Sequence, residues 1–295
     1  MSVRSFEESI WTIHAMIKQE QSAYRISDYL EGLPSSSEFG TPVDSKARLL
    51  IARWLLQVAT TCDYSRESAA IAMSCLDRFM ASDEGRDILL SRSQFQKAAL
   101  VALYIAVKIH EEKALSPDVI ATLSRGKHSA DEIEEMELQM LKAIEWRVNP
   151  PTSMSFARTF LELVPEENLE SSMRDVIMEL TECQVEYAIL NYNLCQESLC
   201  CISYASLMNS VVIVCGDSTL SSGLNAILSK ITGMEGKSLR SLRGRLNDLI
   251  PIDKFSDLLS TPQIRRYSNV ASTYSKGSDT QVYSTSPRGV NEELS

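Results

Sequence analysis

A single carboxylate, Asp77, interrupts the apolar stretch AIAMSCLDRFMA at residues 70–81. At about 100° per residue this stretch predicts a helix with two apolar stripes, and Asp77 lies in the second stripe beside Met73 and Met80. Burying an unpaired carboxylate costs on the order of several kcal/mol, so Asp77 requires a cation or must lose its charge. The kind of partner therefore distinguishes a catalytic acid from a structural ion pair.

The predicted partner of Asp77 is Arg48, which shares a helix face with Ile51 and Leu55. Adjacent helices joined by a short connection pack closely, which favours this pairing. Arg78 is predicted to point to the remaining face of its helix, towards water. A carboxylate paired with arginine stays ionised and is a poor general acid, so we predict a structural pair without a catalytic role.

Three further charges interrupt apolar stripes. Lys97 and Lys108 lie at the two ends of one line along a predicted helix that is otherwise apolar nearly all round, and Glu137 lies at the centre of another stripe. The simplest interpretation of Lys108 and Glu137 is an intramolecular surface salt bridge, worth under about 1 kcal/mol.

The residues that usually carry catalysis or bind metals are sparse. The three histidines, His14, His110 and His128, are too dispersed for a metal site or a catalytic base. The sequence has no P-loop, GxGxxG, GxSxG or HExxH motif. We therefore predict no catalytic residues, no metal, no cofactor and no enzymatic activity.

Composition limits the class of protein further. The net charge of −10 disfavours binding to nucleic acid or to an anionic membrane. The seven cysteines form no CxxC pair, which predicts free, mostly buried thiols in a reducing compartment. The apolar run 199–215 is shorter than the roughly 20 residues of a membrane span, so a core helix is predicted. Nothing at the N-terminus suggests secretion.

The 11 glycines and 9 prolines are few, and helical periodicity extends over most of the chain, which predicts an all-α protein. We expect an N-terminal helix ending near Leu30 and then two groups of five helices. Those helices are predicted at 45–60, 65–82, 93–112, 116–124 and 129–146, and at 152–164, 169–192, 196–215, 219–233 and 236–249. The corresponding domains are 1–43 (helix and linker), 44–150, 151–258 and a disordered Ser/Thr-rich tail at 259–295.

Four segments, KARLLIARWLLQV, AIAMSCLDRFMAS, LVALYIAVKIHEE and EIEEMELQMLKAIEWRVNPPTSMSF, resemble the successive helices of a cyclin box. The resemblance covers residues 44–156, and the MIKQEQSAY and LDRFM segments are closer to D-type than to mitotic cyclins. The LxCxE motif of many D-type cyclins is absent. The second half resembles the C-terminal cyclin fold in pattern only, with Glu197 and Ser198 where the family usually has Pro-Ser.

This resemblance implies a cyclin fold of two five-helix lobes with an extra N-terminal helix. It also implies that Arg48 and Asp77 tie the first two helices of the box together, and that Lys108, Glu137 and Glu111 bind a kinase. Lys97 stands where the family usually has leucine. A groove that docks Arg-x-Leu peptides of substrates or inhibitors would be formed by Leu50, Ile51, Trp54, Arg92, Phe95 and Gln96. Core packing explains the same six residues equally well, and Ala47 replaces a frequent methionine there.

The implied function is that of a regulatory subunit that activates a cyclin-dependent serine/threonine kinase in cell-cycle control, in the nucleus and cytoplasm. The alternative is a cyclin-fold transcription scaffold of the transcription-factor-IIB or retinoblastoma type. Candidate phosphorylation sites, each followed by proline, are Thr261 and Ser286 in the tail. Thr41 and Ser116 also precede proline but are expected to be inaccessible.

Overall fold

The computed structural model describes residues 5–113, 115–216, 218–234 and 236–250. Over these residues the chain forms α-helices, three short 3₁₀ turns and one isolated β-bridge between Ser37 and Gly40. The helices are α1 (Phe6–Ala23), α2 (Ser45–Thr61), α3 (Arg66–Met80), α4 (Arg92–His110), α5 (Pro117–Leu123), α6 (Ala130–Ala143), α7 (Ser153–Glu162), α8 (Ser171–Leu190), α9 (Leu199–Cys215), α10 (Thr219–Thr232) and α11 (Gly236–Leu249). The prediction of an all-α chain with one N-terminal helix and two groups of five is confirmed.

The first lobe is built around α4. Its side chains are buried continuously from Ala98 to Val107, as expected for a helix that is apolar on every face. Helices α2, α3, α5 and α6 all contact it and enclose one hydrophobic core. The ends of α4 reach the surface, so Lys97 and Lys108 are placed at opposite ends of the lobe.

The second lobe repeats this plan around α9, which contacts α7, α8, α10 and α11. A buried polar network joins three of these helices: Asn209 donates to Gln184 (2.9 Å), and the Arg243 guanidinium donates to Asn209 (2.7 Å). The apolar run 199–215 is thus a core helix, as predicted. Among the described residues, no helix is long and apolar enough to cross a membrane.

Helix α1 packs against the second lobe, where Ile13 is fully buried. Near its end, the buried carboxylate of Glu20 accepts hydrogen bonds from the backbone N–H groups of Leu199 (2.5 Å) and Cys200 (3.4 Å) and from the Ser198 hydroxyl (3.1 Å). Glu20 therefore satisfies donors at the start of α9 that have no partner within their own helix. Burial raises the pKa of Glu20 despite these hydrogen bonds.

Replacing Glu20 by alanine should cost about 1 to 3 kcal/mol, because it leaves buried N–H groups of α9 without an acceptor. Glu20→Gln should cost less, since its side-chain oxygen still accepts a hydrogen bond. Because the folded pKa of Glu20 lies above its unfolded value, the wild type should gain stability relative to Glu20→Gln as pH falls through the window between the two values. Urea denaturation of the three proteins at several pH values tests this. A stability difference that shrinks or stays constant as pH falls would contradict it.

Three predictions are wrong: they concern the end of α1, the burial of the cysteines, and the exposure of Thr41 and Ser116. Helix α1 ends at Ala23 and not near Leu30, because the chain then turns inwards and buries Tyr24 and Tyr29. The cysteines are free, but Cys75 and Cys200 alone are buried, Cys62 is exposed and the other four are partly exposed. Thr41 and Ser116 are exposed and not inaccessible. The tail predicted at 259–295, with Thr261 and Ser286, lies outside the described residues, and the domain boundaries stay predictions.

Candidate functional site

Lys108 and Glu137 form an ion pair between the last turn of α4 and the middle of α6. The Lys108 Nζ donates to both carboxylate oxygens of Glu137, at 2.9 and 3.2 Å, and also lies 4.8 Å from the centre of the Tyr104 ring. Desolvation lowers the pKa of Lys108, but the hydrogen bond and charge of Glu137 raise it more, so that the pKa lies above its ordinary value. The ammonium group is therefore a fixed positive charge at neutral pH.

The pair lies at the surface. The Lys108 side chain is 48% exposed, whereas that of Glu137 is 13% exposed. The neighbouring residues in sequence, Ile109 and Leu138, are each 46% exposed, so two large aliphatic side chains reach solvent next to the charged ones. We call Lys108, Ile109, Glu137 and Leu138, together with Trp146, the α4–α6 surface.

Trp146 was not predicted as a site residue. Its side chain is 61% exposed, and it follows α6 in a turn where Glu145 and Trp146 both have positive φ (55° and 58°). The Trp146 N–H donates to the carbonyl of Leu141 (2.8 Å), which fixes the position of the turn. Periodicity predicts a helix as far as Trp146, whereas α6 ends at Ala143. The one signal in the sequence is a large aromatic residue just after the apolar stripe of this helix. Exposed apolar residues beside ordered charges are typical of a protein-binding surface.

Glu111, the third predicted kinase contact, binds elsewhere in its own lobe. Its carboxylate accepts from the Ser65 N–H (2.9 Å) and from the Ser68 hydroxyl. These groups lie at the start of α3, so the structure places Glu111 as a cap of that helix. Its half-buried side chain leaves less surface for a partner than Lys108 has.

The structure brings Arg48 and Asp77 together in the interior. Arg48 donates from Nε (3.0 Å) and from Nη2 (2.7 Å) to the two carboxylate oxygens, and both side chains are 3% exposed. The Tyr29 hydroxyl donates to Asp77 as well (2.7 Å), and Arg48 donates to the carbonyl of Ile189 in the second lobe (2.8 Å). Burial lowers the pKa of Arg48, but Asp77 raises it more, to above its ordinary value. The pair is thus the centre of a hub that joins α2, α3, the segment after α1, and α8.

Arg78 does not face water, contrary to the prediction. It is 8% exposed, lies 4.6 Å from the centre of the Tyr24 ring, and donates to the carbonyl of Arg147 (2.7 Å). The face of α3 that carries Arg78 is covered by the segment after α1, at Tyr24, and by the connection between the lobes, at Arg147. Lys97 also finds a partner, since its Nζ lies 3.9 Å from a Glu132 carboxylate oxygen.

The six residues predicted to form a docking groove divide into two groups. Ile51 and Phe95 are 3% and 1% exposed and belong to the core. The other four, Leu50, Trp54, Arg92 and Gln96, are half-exposed on α2 and α4. Arg92 donates to Asp44 (3.0 Å) and to the carbonyl of Pro42 (3.3 Å), which holds the linker against the start of α4.

The histidines stay dispersed, and no group of three or more His, Cys, Asp or Glu that could hold a metal ion occurs among the residues described. The Glu197 carboxylate binds Arg245 of α11 (2.6 Å), and the Ser198 hydroxyl caps α9 by accepting from Cys201 (3.4 Å). These two residues therefore fulfil structural roles at the position where Pro-Ser was expected.

The chain is similar to known proteins in sequence and in fold. Residues 12–149 match the family model for the cyclin N-terminal domain. G1/S-specific cyclin-E1 of Rattus norvegicus is 28% identical over 156 residues, which cover 53% of this chain and 35% of that protein. G2/mitotic-specific cyclin-B3 of Caenorhabditis elegans is 23% identical over 264 residues, covering 89% of this chain and 63% of the relative. The chain thus matches about one third of the length of this cyclin-E1 and less than two thirds of the length of this cyclin-B3.

Two solved structures share the fold. A viral cyclin from herpesvirus saimiri superposes with a TM-score of 0.58 at 15% identity, covering 84% of this chain and 98% of the viral one. A chain of the CAK complex of Chaetomium thermophilum bound to ATP-gamma-S superposes with a TM-score of 0.51 at 17% identity, covering 90% and 82%. The named relatives are E- and B3-type, and the likeness to D-type cyclins stays a prediction.

Proposed function

Because the chain belongs to the cyclin family, whose members are regulatory subunits and not enzymes themselves, we propose that it binds and activates a cyclin-dependent serine/threonine protein kinase. A regulatory role agrees with relatives that are cell-cycle cyclins. The proposal includes a kinase catalytic subunit as partner, the substrates of that kinase, and a place of action in the nucleus and cytoplasm. These stay proposals because the chain matches only part of each relative.

The observation that carries the proposal is the α4–α6 surface. There the ion pair of Lys108 and Glu137 is flanked in sequence by exposed Ile109 and Leu138, and exposed Trp146 lies in the turn that follows α6. Each charge orients the other and keeps capacity for a partner, because an ammonium has three donor sites and a carboxylate about four acceptor sites. A helix of a partner protein could bury the aliphatic and aromatic groups and bond its backbone to the charges.

The mechanism we propose is a shift in the population of kinase conformations. The kinase helix that carries the glutamate paired with the ATP-binding lysine must be held inwards for catalysis. A partner that binds only the inward arrangement favours it by its differential affinity for the two states. Changing an active fraction from 1:99 to 99:1 takes about 5.5 kcal/mol of differential binding, and protein interfaces routinely supply more than this.

The direct test combines the purified full chain with each cyclin-dependent kinase of the source organism. We expect one or more kinases to form a stable complex on gel filtration and to phosphorylate a Ser-Pro peptide much faster than the kinase alone. Binding without a rise in activity would favour a scaffold. Absence of binding to every such kinase would overturn the proposal.

A further inference from the structure

Thr41 lies in the linker between α1 and α2, directly before Pro42, and its side chain is exposed. A serine or threonine followed by proline is the minimal site of a proline-directed kinase. The Thr41 hydroxyl makes no hydrogen bond to any of the described residues, so its oxygen is free to accept a phosphoryl group. Ser116 also precedes proline, but its hydroxyl accepts from the Val119 N–H (3.4 Å) and caps α5.

Backbone hydrogen bonds hold this part of the linker against the start of α4. The Arg92 N–H donates to the Thr41 carbonyl (3.0 Å), and the Val43 N–H donates to the Leu89 carbonyl (2.8 Å). The residues between α1 and α2 form no helix, so these two bonds and the side-chain contacts fix the path of the chain here. The position of Thr41 relative to Arg92 is therefore set by the fold.

The guanidinium of Arg92 lies beside the same segment and keeps donor groups in reserve. Its Nε donates to the Pro42 carbonyl (3.3 Å), and its Nη2 donates to the Asp44 carboxylate (3.0 Å). An arginine side chain carries more N–H donors than these two bonds use. In particular, Nη1 of Arg92 makes no hydrogen bond within the part of the chain that the structure describes. A cation with unused donors thus lies next to an exposed Thr-Pro sequence.

We propose that Thr41 is a phosphorylation site and that Arg92 binds the phosphate it acquires. In a proline-directed serine/threonine kinase, the Thr41 hydroxyl oxygen attacks the γ-phosphorus of ATP. The bond from that phosphorus to the oxygen it shares with the β-phosphorus breaks, ADP leaves, and the hydroxyl proton is released. The product carries a charge of about −1.5 to −2 at neutral pH and strong acceptor oxygens. The unused N–H groups of Arg92 bond to these oxygens, because guanidinium and phosphate match in charge and geometry.

The phosphate changes the charge of the surface where α2 and α4 begin. Lys46 is exposed in the first turn of α2, and Arg92 pairs there with Asp44. Phosphorylation makes this region negative and adds a charge-assisted bond between the linker and α4. The linker that joins α1 to the first lobe is thereby held more tightly. The site lies at the opposite end of α4 from Lys108, and it does not rest on the proposed function, because any proline-directed kinase supplies the phosphoryl group.

The first test uses the full chain with Ser116, Thr261 and Ser286 replaced by alanine, so that Thr41 is the only hydroxyl residue left before a proline. Incubation of the folded protein with ATP and each of a panel of purified proline-directed kinases should phosphorylate Thr41, as located by mass spectrometry of its peptides. Adding Thr41→Ala to this variant should abolish the modification. If no kinase of the panel phosphorylates Thr41, the proposal is overturned.

Phosphorus NMR then tests whether Arg92 binds the phosphate. The second pKa of the phosphate should lie below its ordinary value of about 6, by roughly 0.5 or more, because the adjacent guanidinium favours the dianion. Arg92→Gln should restore the ordinary pKa, whereas Arg53→Gln, which removes an exposed arginine of α2, should not. Circular dichroism melts verify folding, and the same titration of the urea-unfolded chain supplies the reference if Arg92→Gln does not fold. An ordinary pKa in the folded phosphorylated chain, or a pKa that Arg92→Gln leaves unchanged, contradicts binding by Arg92.

Discussion

Replacing either Arg48 or Asp77 by alanine should lower the free energy of unfolding by about 3 to 5 kcal/mol, because each change leaves a buried charge without its partner. The structure gives three reasons for a value in this range. Both side chains are 3% exposed, the guanidinium donates twice to the carboxylate, and Tyr29 and the carbonyl of Ile189 bond to the same pair. Urea denaturation followed by circular dichroism measures the loss.

Two comparisons make this result specific to the buried pair. Replacing Arg48 and Asp77 together by apolar residues should recover part of the stability, since no charge is then left buried. Arg66 also pairs with a carboxylate, that of Glu186, but the Arg66 side chain is 49% exposed. Arg66→Ala should therefore lower the free energy of unfolding by under about 1 kcal/mol. Single variants of the buried pair that are as stable as Arg66→Ala would show that the pair does not stabilise the fold.

The sequence was sufficient to place the helices because its local signals agree with the tertiary structure. The capping residues Ser5 and Ser129, and Pro117 in the first turn of α5, mark starts that the structure reproduces. Apolar residues on every face of α4 correctly indicated a central helix. These signals depend only on neighbours in sequence, and a single chain contains all of them.

The errors concern contacts between residues far apart in sequence. Nothing near Leu30 shows that Tyr29 leaves the helix to bond Asp77, 48 residues away. The sequence predicts an exposed Arg78 because the segments that cover it, at Tyr24 and Arg147, belong to other elements. The contact of Arg48 with Ile189 spans 141 residues. Periodicity describes a single helix and its faces, so it cannot reveal which remote segment covers a face.

The same limit of periodicity applies to the candidate site. Lys108 and Glu137 could be singled out because each charge interrupts an apolar stripe, and the resemblance to the cyclin box linked them. The exposure of Trp146 was not predictable, since it arises from the positive φ angles of Glu145 and Trp146 after α6. The resemblance alone assigns Glu111 to the kinase interface, and that assignment stays a prediction; in the isolated chain the Glu111 carboxylate caps α3 through Ser65 and Ser68.

Lys108→Ala and Glu137→Ala should each weaken binding of the cognate kinase by about 2 kcal/mol or more, roughly 30-fold in Kd, because a charge buried in the complex loses its partner. The same changes should alter the free energy of unfolding of the isolated chain by less than about 1 kcal/mol, since the ammonium group is half exposed there. Binding is measured by isothermal titration calorimetry, and stability by thermal melting. Kinase activity at saturating cyclin should largely recover, because the defect lies in association and not in chemistry.

The chain offers a matched control on the same two helices. Lys97 and Glu132 also pair α4 with α6, at the opposite end of the lobe and with 3.9 Å between their charged atoms. Lys97→Ala should therefore leave the kinase affinity unchanged although it removes the same kind of side chain, and Glu135→Ala serves as the exposed carboxylate control on α6. If Lys97→Ala weakens binding as much as Lys108→Ala, the effect reflects packing of α4 on α6 and not a contact with the kinase. If none of these changes affects binding, Lys108 and Glu137 form an ordinary salt bridge, and a scaffold function becomes the better explanation of the α4–α6 surface.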